Sequence, residues 1–544
     1  MHTGPPEAPR DNEPAPQASQ ALNHSQTTPA NTQEHDISLS KTHTSLSRVP
    51  TATKPPSFSR PREYAFITVV VAAQLFTQAC LAVSIAPVHV IGASFNEYNP
   101  GTLSWLPAGF SLTVGTFILP AGRWGDLFGH KKLFVIGYGW AALWSLIAGF
   151  SVWSNSLPFF AFCRAMQGIG FSMVLPNGIA VLARTYPPGP KKDMVLSIFG
   201  ATAPGGFVLG ATFSGLFTQF VWWPWSYWVL GIFLVLVAVA ASLLIPAMPV
   251  HGAQIAGLVQ EPDLVGTLLG VSGLVLFNFA WNEGAAASWT HVYVYVLLIV
   301  GLVLLTVFIW YEKCHAGFPL LPIHAFTRDT NLVFGCISAG WASFGIWIFY
   351  FYQFLEELEH NSILLVAAKN SPAAISGAFA AILTGIILSK IQPGFVMLIA
   401  MSAFCIGTIL LATNPIGRSY WCQFFVSALV TTFGMDMSFP SGVIVLSNHM
   451  PPEEQGIAAS LVNTFINYSI SIGLGMAGTV EAHVNNGGQT ASDMLAGYRG
   501  AWYVGIGLDV LGIVCALALI VSWRATINAR EKKELQEKQN EESA

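Results

Sequence analysis

A small set of charged and amide side chains interrupts the long apolar stretches of this 544-residue chain. The set comprises Arg164, Asp436, Asp509, Gln74, Gln78, Gln167, Asn463 and Asn467. Moving an ionisable group out of water costs free energy, so such a group faces a cavity, pairs with a partner or exchanges a proton. The chemistry that these residue types predict is therefore proton binding and hydrogen bonding to a small solute.

The two aspartates are alternative carriers of that proton. Asp436 is the preferred candidate, because it lies deep in an apolar stretch and can exchange protons there. Asp509, about nine residues into the last apolar stretch, is its rival. Either acid could instead have a structural role and be hydrogen-bonded within the protein.

The remaining polar and aromatic side chains also leave alternatives open. Arg164 should face a cavity or a partner, or else bond to backbone carbonyls in a structural role. Asn463 and Asn467 share one helix face and could line a cavity or bond between helices. Trp341 and Trp347 could stack on a bound solute, or they could face lipid.

The composition indicates that the elements carrying these residues are membrane-spanning helices. Only 10% of the residues are charged and 53% are hydrophobic, against about 25% charged in soluble domains. A bilayer core needs about 20 apolar residues per helix. The predicted spans are residues 65–90, 102–121, 132–152, 157–184, 194–219, 226–246, 263–281, 290–311, 331–354, 364–389, 394–413, 419–447, 456–480 and 500–523. The sequence thus predicts an all-α membrane protein with about fourteen transmembrane helices.

The distribution of basic residues predicts that both termini are cytoplasmic. With that orientation, only Arg418 and Arg499 fall on outside loops. The inside positions are Arg60, Arg62, Arg123, Lys131, Lys132, Arg184, Lys191, Lys192, Lys313, Arg328 and Lys390, with the basic residues of the C-terminus. We expect residues 1–62 to be a disordered cytoplasmic tail and residues 524–544 to be a second, helical one.

An internal repeat divides the chain. Residues 176–188 read PNGIAVLARTYPP and residues 440–452 read PSGVIVLSNHMPP, so the fourth and twelfth predicted spans are equivalent. The repeat also makes Asp436 equivalent to Ser172, two turns from Arg164. Parallel six-helix repeats are typical of major facilitator transporters. We therefore expect a first half at 63–246, a linker with two inserted helices at 247–312, and a second half at 313–523.

Three motifs resemble those of the major facilitator superfamily. The loop AGRWGDLFGHKKLF at 121–134 is similar to the family's signature loop, with Gly122, Asp126, Gly129 and Lys131 in the matching positions. There the resemblance implies that the Asp helps hold the two halves together on the cytoplasmic side. His130 stands where the family often has Arg, which predicts a thinner charge network in this loop.

The second and third motifs lie in the fourth and fifth predicted spans. RAMQGIG, from Arg164 through Gln167, resembles the motif whose Arg is linked to proton coupling. The segment with Pro204, Gly205, Gly206 and Gly210 resembles the motif found in antiporters rather than uptake carriers. A glycine-rich packing face is the alternative for this last motif.

Together these segments make the chain similar to fungal fourteen-span drug:proton antiporters, close to the aminotriazole-resistance and boron exporters. The resemblance implies proton-driven export of drugs, toxicants or secondary metabolites, and favours the plasma membrane over the vacuole. One departure is that the first span has no Asp. Gln74 and Gln78 lie there instead. The proton-binding acid is therefore not identified by analogy.

Other classes of function lack their motifs. The chain has no GxSxG, HExxH or CxxC motif and no GxxxxGK[ST] loop, which argues against an enzyme and against an ATP-driven pump. We predict no cofactor, no metal and no nucleic-acid partner. The expected partners are the lipid bilayer, a small-molecule substrate and protons, and we expect a monomer. A proton-coupled uptake carrier, such as a siderophore importer, is the alternative function.

Overall fold

The computed structural model describes residues 59–187, 189–246, 263–317, 320–321, 325–388, 390–450 and 455–543. Within these residues, fourteen helices are long and apolar enough to cross a membrane, which confirms the predicted fold class. The predicted tail at 1–62 lies outside the described residues except for its last four, and so does most of the connection after residue 246.

The spanning helices are numbered α1 to α14 in chain order. Their bounds are α1 Arg60–Ile85, α2 Trp105–Phe128, α3 His130–Phe150, α4 Leu157–Thr185, α5 Pro190–Phe220, α6 Pro224–Leu244, α7 Leu264–Ala287, α8 Val292–Cys314, α9 Arg328–Gln353, α10 Pro372–Leu388, α11 Pro393–Ala412, α12 Phe424–Asn448, α13 Gln455–Val484 and α14 Ala491–Ser543.

Side chains and glycines define several helix ends. Ser156, Thr327 and Asp263 each accept a hydrogen bond from a backbone N–H in the first turn of α4, α9 and α7, which satisfies a donor that the helix itself leaves unpaired. Gly129 ends α2 with a φ of +102°, a conformation that side chains with a Cβ rarely adopt. The loop between α2 and α3 is therefore a tight turn.

The structure differs from the predicted spans where proline or local geometry breaks a helix. The first predicted span continues to residue 90, but α1 ends at Ile85 and a separate helix, Val88–Ser94, follows Pro87, since proline lacks the N–H that a continuous helix needs. The tenth predicted span consists of a short helix, Ile363–Asn370, followed by α10. The last helix begins at Ala491 and continues into the polar C-terminal region.

Two six-helix groups form the body of the protein. In the first half, α1 packs on α5, α4 on α2 and α3, and α6 on α3. In the second half, α9 packs on α13 and α14, while α11 packs on α12 and α14. The halves meet where α2 packs on α13, and where α5 packs on α10 and on the helix Ile363–Asn370. A cavity lies between these two lines of contact.

The inserted pair, α7 and α8, attaches to the second half through α7. Asn278 Oδ1 accepts hydrogen bonds from Ser471 Oγ of α13 (2.7 Å) and from Asn282 Nδ2 (2.8 Å). The Tyr468 hydroxyl of α13 donates to the carbonyl of Leu274 in α7 at 2.9 Å. By contrast α8 packs mainly on α7 and leaves most of its apolar surface exposed, as expected for a helix that faces lipid.

Candidate functional site

A central cavity of about 80 Å³ lies between the two halves. Both halves line it, through α1, α4 and α5 of the first and through α9, α10, α12 and α13 of the second. Five of the polar residues singled out from the sequence line this single cavity, and they are Gln74, Gln78, Asp436, Asn463 and Asn467.

Asp436 is the acid of this cavity. Its Oδ2 atom is buried and has no hydrogen-bond partner among the described residues. The side chain lies where three helices meet, because a Cβ built on Gly377 of α10 would be 2.8 Å from Asp436 Oδ2 and 2.6 Å from Pro204 Cγ of α5. Because Gly377 has no side chain, the Asp436 carboxyl group has room to lie against Pro204 of the first half.

Amide side chains line the same cavity as the acid. Gln74 and Gln78 lie one turn apart on α1 and are partly buried. On α13, Asn467 Nδ2 donates to the Asn463 carbonyl and Asn463 Nδ2 donates to the Ala459 carbonyl, both at 3.0 Å. Each of these two bonds uses one N–H of an amide group, so the amide oxygen and the second N–H of each side chain are left for a solute.

Aromatic side chains of α9 form the apolar wall of the cavity. Phe344 and Trp347 stack with ring centroids 6.0 Å apart, and Trp341 contacts Phe344 edge-on. The indole nitrogens donate to Ser438 (3.1 Å) and Ser427 (2.8 Å) of α12. Trp341 and Trp347 are buried, so the alternative in which they face lipid is wrong. A flat apolar solute would find stacking partners on this wall.

The structure places Arg164 and Gln167 away from the cavity. The fully buried Arg164 guanidinium donates to the Cys80 carbonyl (2.6 Å) and Ser84 Oγ (3.1 Å) of α1, and also to Gln167 Oε1. The ring of Phe110 from α2 lies 4.8 Å from the guanidinium carbon. This geometry favours the structural alternative for Arg164, in which the side chain holds α1, α2 and α4 together.

Asp509 is also separate from the cavity. It is fully buried, and its Oδ2 accepts a hydrogen bond from Ser343 Oγ of α9 at 2.7 Å. Ser343 lies 3.3 Å from the hydroxyl of Thr408 in α11. The acid thus joins three helices of the second half, and the proton-carrier candidate that the cavity contains is Asp436.

The signature loop forms a compact ionic cluster within the first half. Asp126 Oδ1 lies 2.7 Å from Arg184 of α4 and 3.2 Å from Nε2 of His130. The Nδ1 atom of His130 lies 2.7 Å from Asn177 Oδ1, and Lys131 Nζ donates to the Ile245 carbonyl at the end of α6 at 2.5 Å. His130 therefore belongs to the charge network of this loop, although the presence of His in place of Arg was expected to weaken that network.

The glycines of the α5 motif have different environments. A Cβ on Gly206 would collide with the Leu75 carbonyl of α1, and a Cβ on Gly210 would collide with that of Ala79. Gly205 has no heavy atom within 4 Å of its hypothetical Cβ. Gly206 and Gly210 therefore allow α1 and α5 to pack backbone to backbone, while Pro204 lines the cavity.

One buried acid that the sequence analysis missed, Glu481, lies at the end of the bundle opposite the termini. Glu481 of α13 is buried and accepts a hydrogen bond from the Tyr350 hydroxyl at 2.7 Å. His89 Nδ1 lies 3.4 Å from Glu357 Oε1, which joins the two halves at this end. Glu481 was missed because the thirteenth predicted span stops one residue before it, whereas α13 continues to Val484.

Comparisons with known proteins agree with this architecture. A sequence profile of the Major Facilitator Superfamily matches residues 65–476 and 332–543. The "Low affinity ammonium transporter" of Saccharomyces cerevisiae is 54% identical over 88% of this chain and 92% of its own length. "Efflux pump terJ" of Aspergillus terreus is 47% identical, covering 84% and 87% of the two chains. The "Aminotriazole resistance protein" of S. cerevisiae is 36% identical, covering 87% of both.

Solved structures share the fold at low sequence identity. A POT family transporter in complex with a thioalcohol-conjugated peptide aligns with a TM-score of 0.62 at 14% identity, covering 85% of this chain and 96% of that one. The resemblance to drug-efflux transporters inferred from the motifs is thus confirmed, and the protein is a transporter rather than an enzyme. The chain belongs to the major facilitator superfamily and is of its fourteen-span drug-efflux type.

Proposed function

We propose that this protein exports small amphipathic molecules, such as drugs, toxicants or secondary metabolites, by proton antiport with alternating access. The observation that supports this most directly is the composition of the central cavity. It combines one carboxylate, several amides and an aromatic wall, and among the described residues no Lys, Arg or His lines it. Such a cavity suits neutral or cationic amphipaths and disfavours anions.

Asp436 would couple export to the proton gradient. When its carboxyl group is ionised it attracts a cationic or hydrogen-bond-donating solute, and when it is protonated that attraction is lost. Proton and substrate then compete for one position beside Pro204, at the contact between the halves. Competition of this kind is what an antiporter needs, because each ligand drives release of the other.

The contacts between the halves support alternating access. At the end opposite the termini, His89 approaches Glu357 and Gly215 of α5 packs against the backbone of Leu364. We infer that this conformation is closed at the far end. We also propose that the termini are cytoplasmic, as the distribution of basic residues predicts, and that the protein works at the plasma membrane.

The experiment is an accumulation assay in yeast that lacks its own export pumps. A panel of toxic amphiphiles is compared in cells with the wild-type chain, Asp436→Asn or an empty vector, with and without a protonophore. Lower accumulation that needs both Asp436 and the proton gradient supports the proposal. Higher accumulation with the wild-type chain would show uptake instead, and gradient-independent export would exclude antiport.

A second candidate is transport of a small cation. It is favoured by the 54% identical relative that carries the name of an ammonium transporter, and by the carboxylate and aromatic rings that a cation would contact. Uptake of labelled methylammonium by the same strains would test it. The siderophore importer considered from the sequence is less favoured where the siderophore complex is anionic, because no basic side chain among the described residues lines the cavity.

A further inference from the structure

The inserted pair contacts the first half as well as the second, and it does so at the end of the bundle opposite the termini. A short helix, Pro100–Leu103, precedes α2 at this far end. A Cβ built on Gly101 of this helix would lie 2.3 Å from the carbonyl oxygen of Ala285, in the last turn of α7. Because glycine has no side chain, the short helix and α7 can touch through their backbones.

One amide group both caps this short helix and bonds to α7. Asn99 Oδ1 accepts a hydrogen bond from the Gly101 N–H at 2.9 Å, which is the usual role of an N-cap residue. Its Nδ2 atom donates to the Ala286 carbonyl of α7 at 3.2 Å. In the first turn of α2, the ring of Trp105 lies 5.0 Å from that of Phe279 in α7, measured between centroids. These two contacts, together with that of Gly101, form what we call the latch.

The bonds from α7 to the second half differ from the latch in being buried. Asn278 and Asn282 of α7 and Ser471 of α13 are fully buried and hydrogen-bonded to one another. Breaking such a bond within the membrane is costly, because no water replaces the lost partner. Asn99 is exposed, so water can replace its bond to Ala286. The latch is therefore the weaker of the two attachments of α7.

The latch lies at the boundary between the two halves. A Cβ built on Gly478 of α13 would lie 3.1 Å from Ala285 Cβ and 3.7 Å from Gly101 Cα. The first half, the inserted pair and the second half thus meet at three small residues. His89 and Glu357 join the halves at this same end of the bundle, and the latch is a second connection there.

We propose that the inserted pair is a conformational device that moves with the second half and keeps the far end of the transporter closed through the latch. Opening of the far end breaks the latch and leaves the bonds between α7 and α13 in place. This inference rests on alternating access, which is part of the proposed function. It is independent of the coupling ion, the substrate and the direction of transport.

Distances between spin labels test the proposal. The full chain is purified into phosphatidylcholine nanodiscs after its two exposed native cysteines are replaced by serine. Labels are placed in pairs on Ala93 of the first half, His291 directly after α7 and Ala482 of α13, all of which are exposed. Electron–electron resonance then gives three distances, which are compared between the wild-type latch and Gly101→Val, whose side chain has no room beside α7.

The distance between Ala93 and Ala482 reports opening of the far end. We expect Gly101→Val to raise the open fraction about tenfold, which corresponds to about 1.4 kcal/mol of overpacking. The distance between Ala93 and His291 should lengthen with it, and the distance between His291 and Ala482 should stay the same. Lengthening of this last distance instead would show that the pair moves with the first half, and an unchanged open fraction would show that the latch does not keep this end closed. Either result would overturn the proposal.

Two other variants separate the latch from general damage. Gly139→Val in α3 is the matched control and should leave all three distances unchanged, because its Cβ meets no heavy atom within 4 Å. Asn99→Asp covers the case in which Gly101→Val fails to fold. Aspartate keeps the oxygen that caps the short helix but lacks the N–H that bonds to Ala286, so the open fraction should rise about threefold. A folded Asn99→Asp protein with no such rise would also overturn the proposal.

The accumulation assay distinguishes failure of this proposal from failure of the proposed function. The distances are measured without substrate and without a proton gradient, so loss of gradient-dependent export would refute proton antiport and leave the latch supported. Gradient-dependent export together with unchanged distances in Gly101→Val would refute the latch alone.

Discussion

The substitution Asp436→Asn should uncouple transport from the proton gradient while preserving the shape of the cavity. Asparagine has nearly the volume of aspartate but cannot exchange a proton at neutral pH. Asp436 is the carboxylate that lines the central cavity in the described part of the chain. At most one proton per cycle can therefore be exchanged at this cavity, and the variant should exchange none.

The exchange of one proton per cycle determines the size of the substrate gradient that the transporter can sustain. One pH unit across the membrane is worth 1.36 kcal/mol for one proton, which is about a tenfold change in the substrate gradient that it can sustain. A wild-type protein in vesicles clamped at zero membrane potential should thus concentrate its substrate about tenfold per pH unit. With Asp436→Asn, the substrate ratio should stay near one at every pH difference.

Asp509→Asn is the matched control. Asp509 is a second buried acid, but it bonds to Ser343 and does not line the cavity. We expect its variant to lose some folded protein and to keep the same tenfold slope per pH unit, about one proton per cycle. The reasoning would be refuted if Asp436→Asn kept the slope, and the roles of the two acids would be reversed if only Asp509→Asn lost it.

Three further predictions concern packing and pH. Gly206→Ala should lower the free energy of unfolding by about 1–3 kcal/mol because its Cβ collides with the backbone of α1, whereas Gly205→Ala, which meets nothing within 4 Å, should be neutral or stabilising. Thermal unfolding checks both, and equal losses would contradict the packing role. Arg164→Met should reduce the folded yield, since it leaves buried carbonyl and amide groups unpaired at about 1–3 kcal/mol each; normal yield with lost export would support proton coupling instead. Burial lowers the pKa of His89, so the unfolded chain binds that proton more readily and stability should fall as the pH drops below about 6.5. His89→Asn should flatten this part of the melting-temperature profile between pH 5 and 7, and an unchanged profile would exclude His89 as its source.

The spans and part of the cavity could be predicted from the sequence because both depend on strong local signals. Hydropathy determines which segments cross the bilayer, and the shared spacing of Asn463 and Asn467 places them on one helix face. Asp436 was preferred because of its depth in the twelfth span, and the structure places it in the cavity. Its role as the proton carrier stays a prediction.

Other features depend on how each helix is rotated about its axis, which hydropathy does not specify. Arg164 also lies inside its predicted span, yet its side chain turns toward Cys80 and away from the cavity. The sequence left open whether Trp341 and Trp347 stack on a solute or face lipid. The packing of α9 inside the second half buries both rings and excludes the lipid-facing alternative.

The hydrogen bonds between α7 and α13 have a consequence for any version of the chain that lacks the inserted pair. Removing α7 and α8 to produce a twelve-helix protein would turn Ser471 and Tyr468, which now bond to α7, toward hydrocarbon. Each unpaired polar group in lipid costs several kcal/mol. A version without the pair would therefore need another acceptor for each hydroxyl, and an engineered minimal version should replace both residues with apolar ones before the helices are deleted.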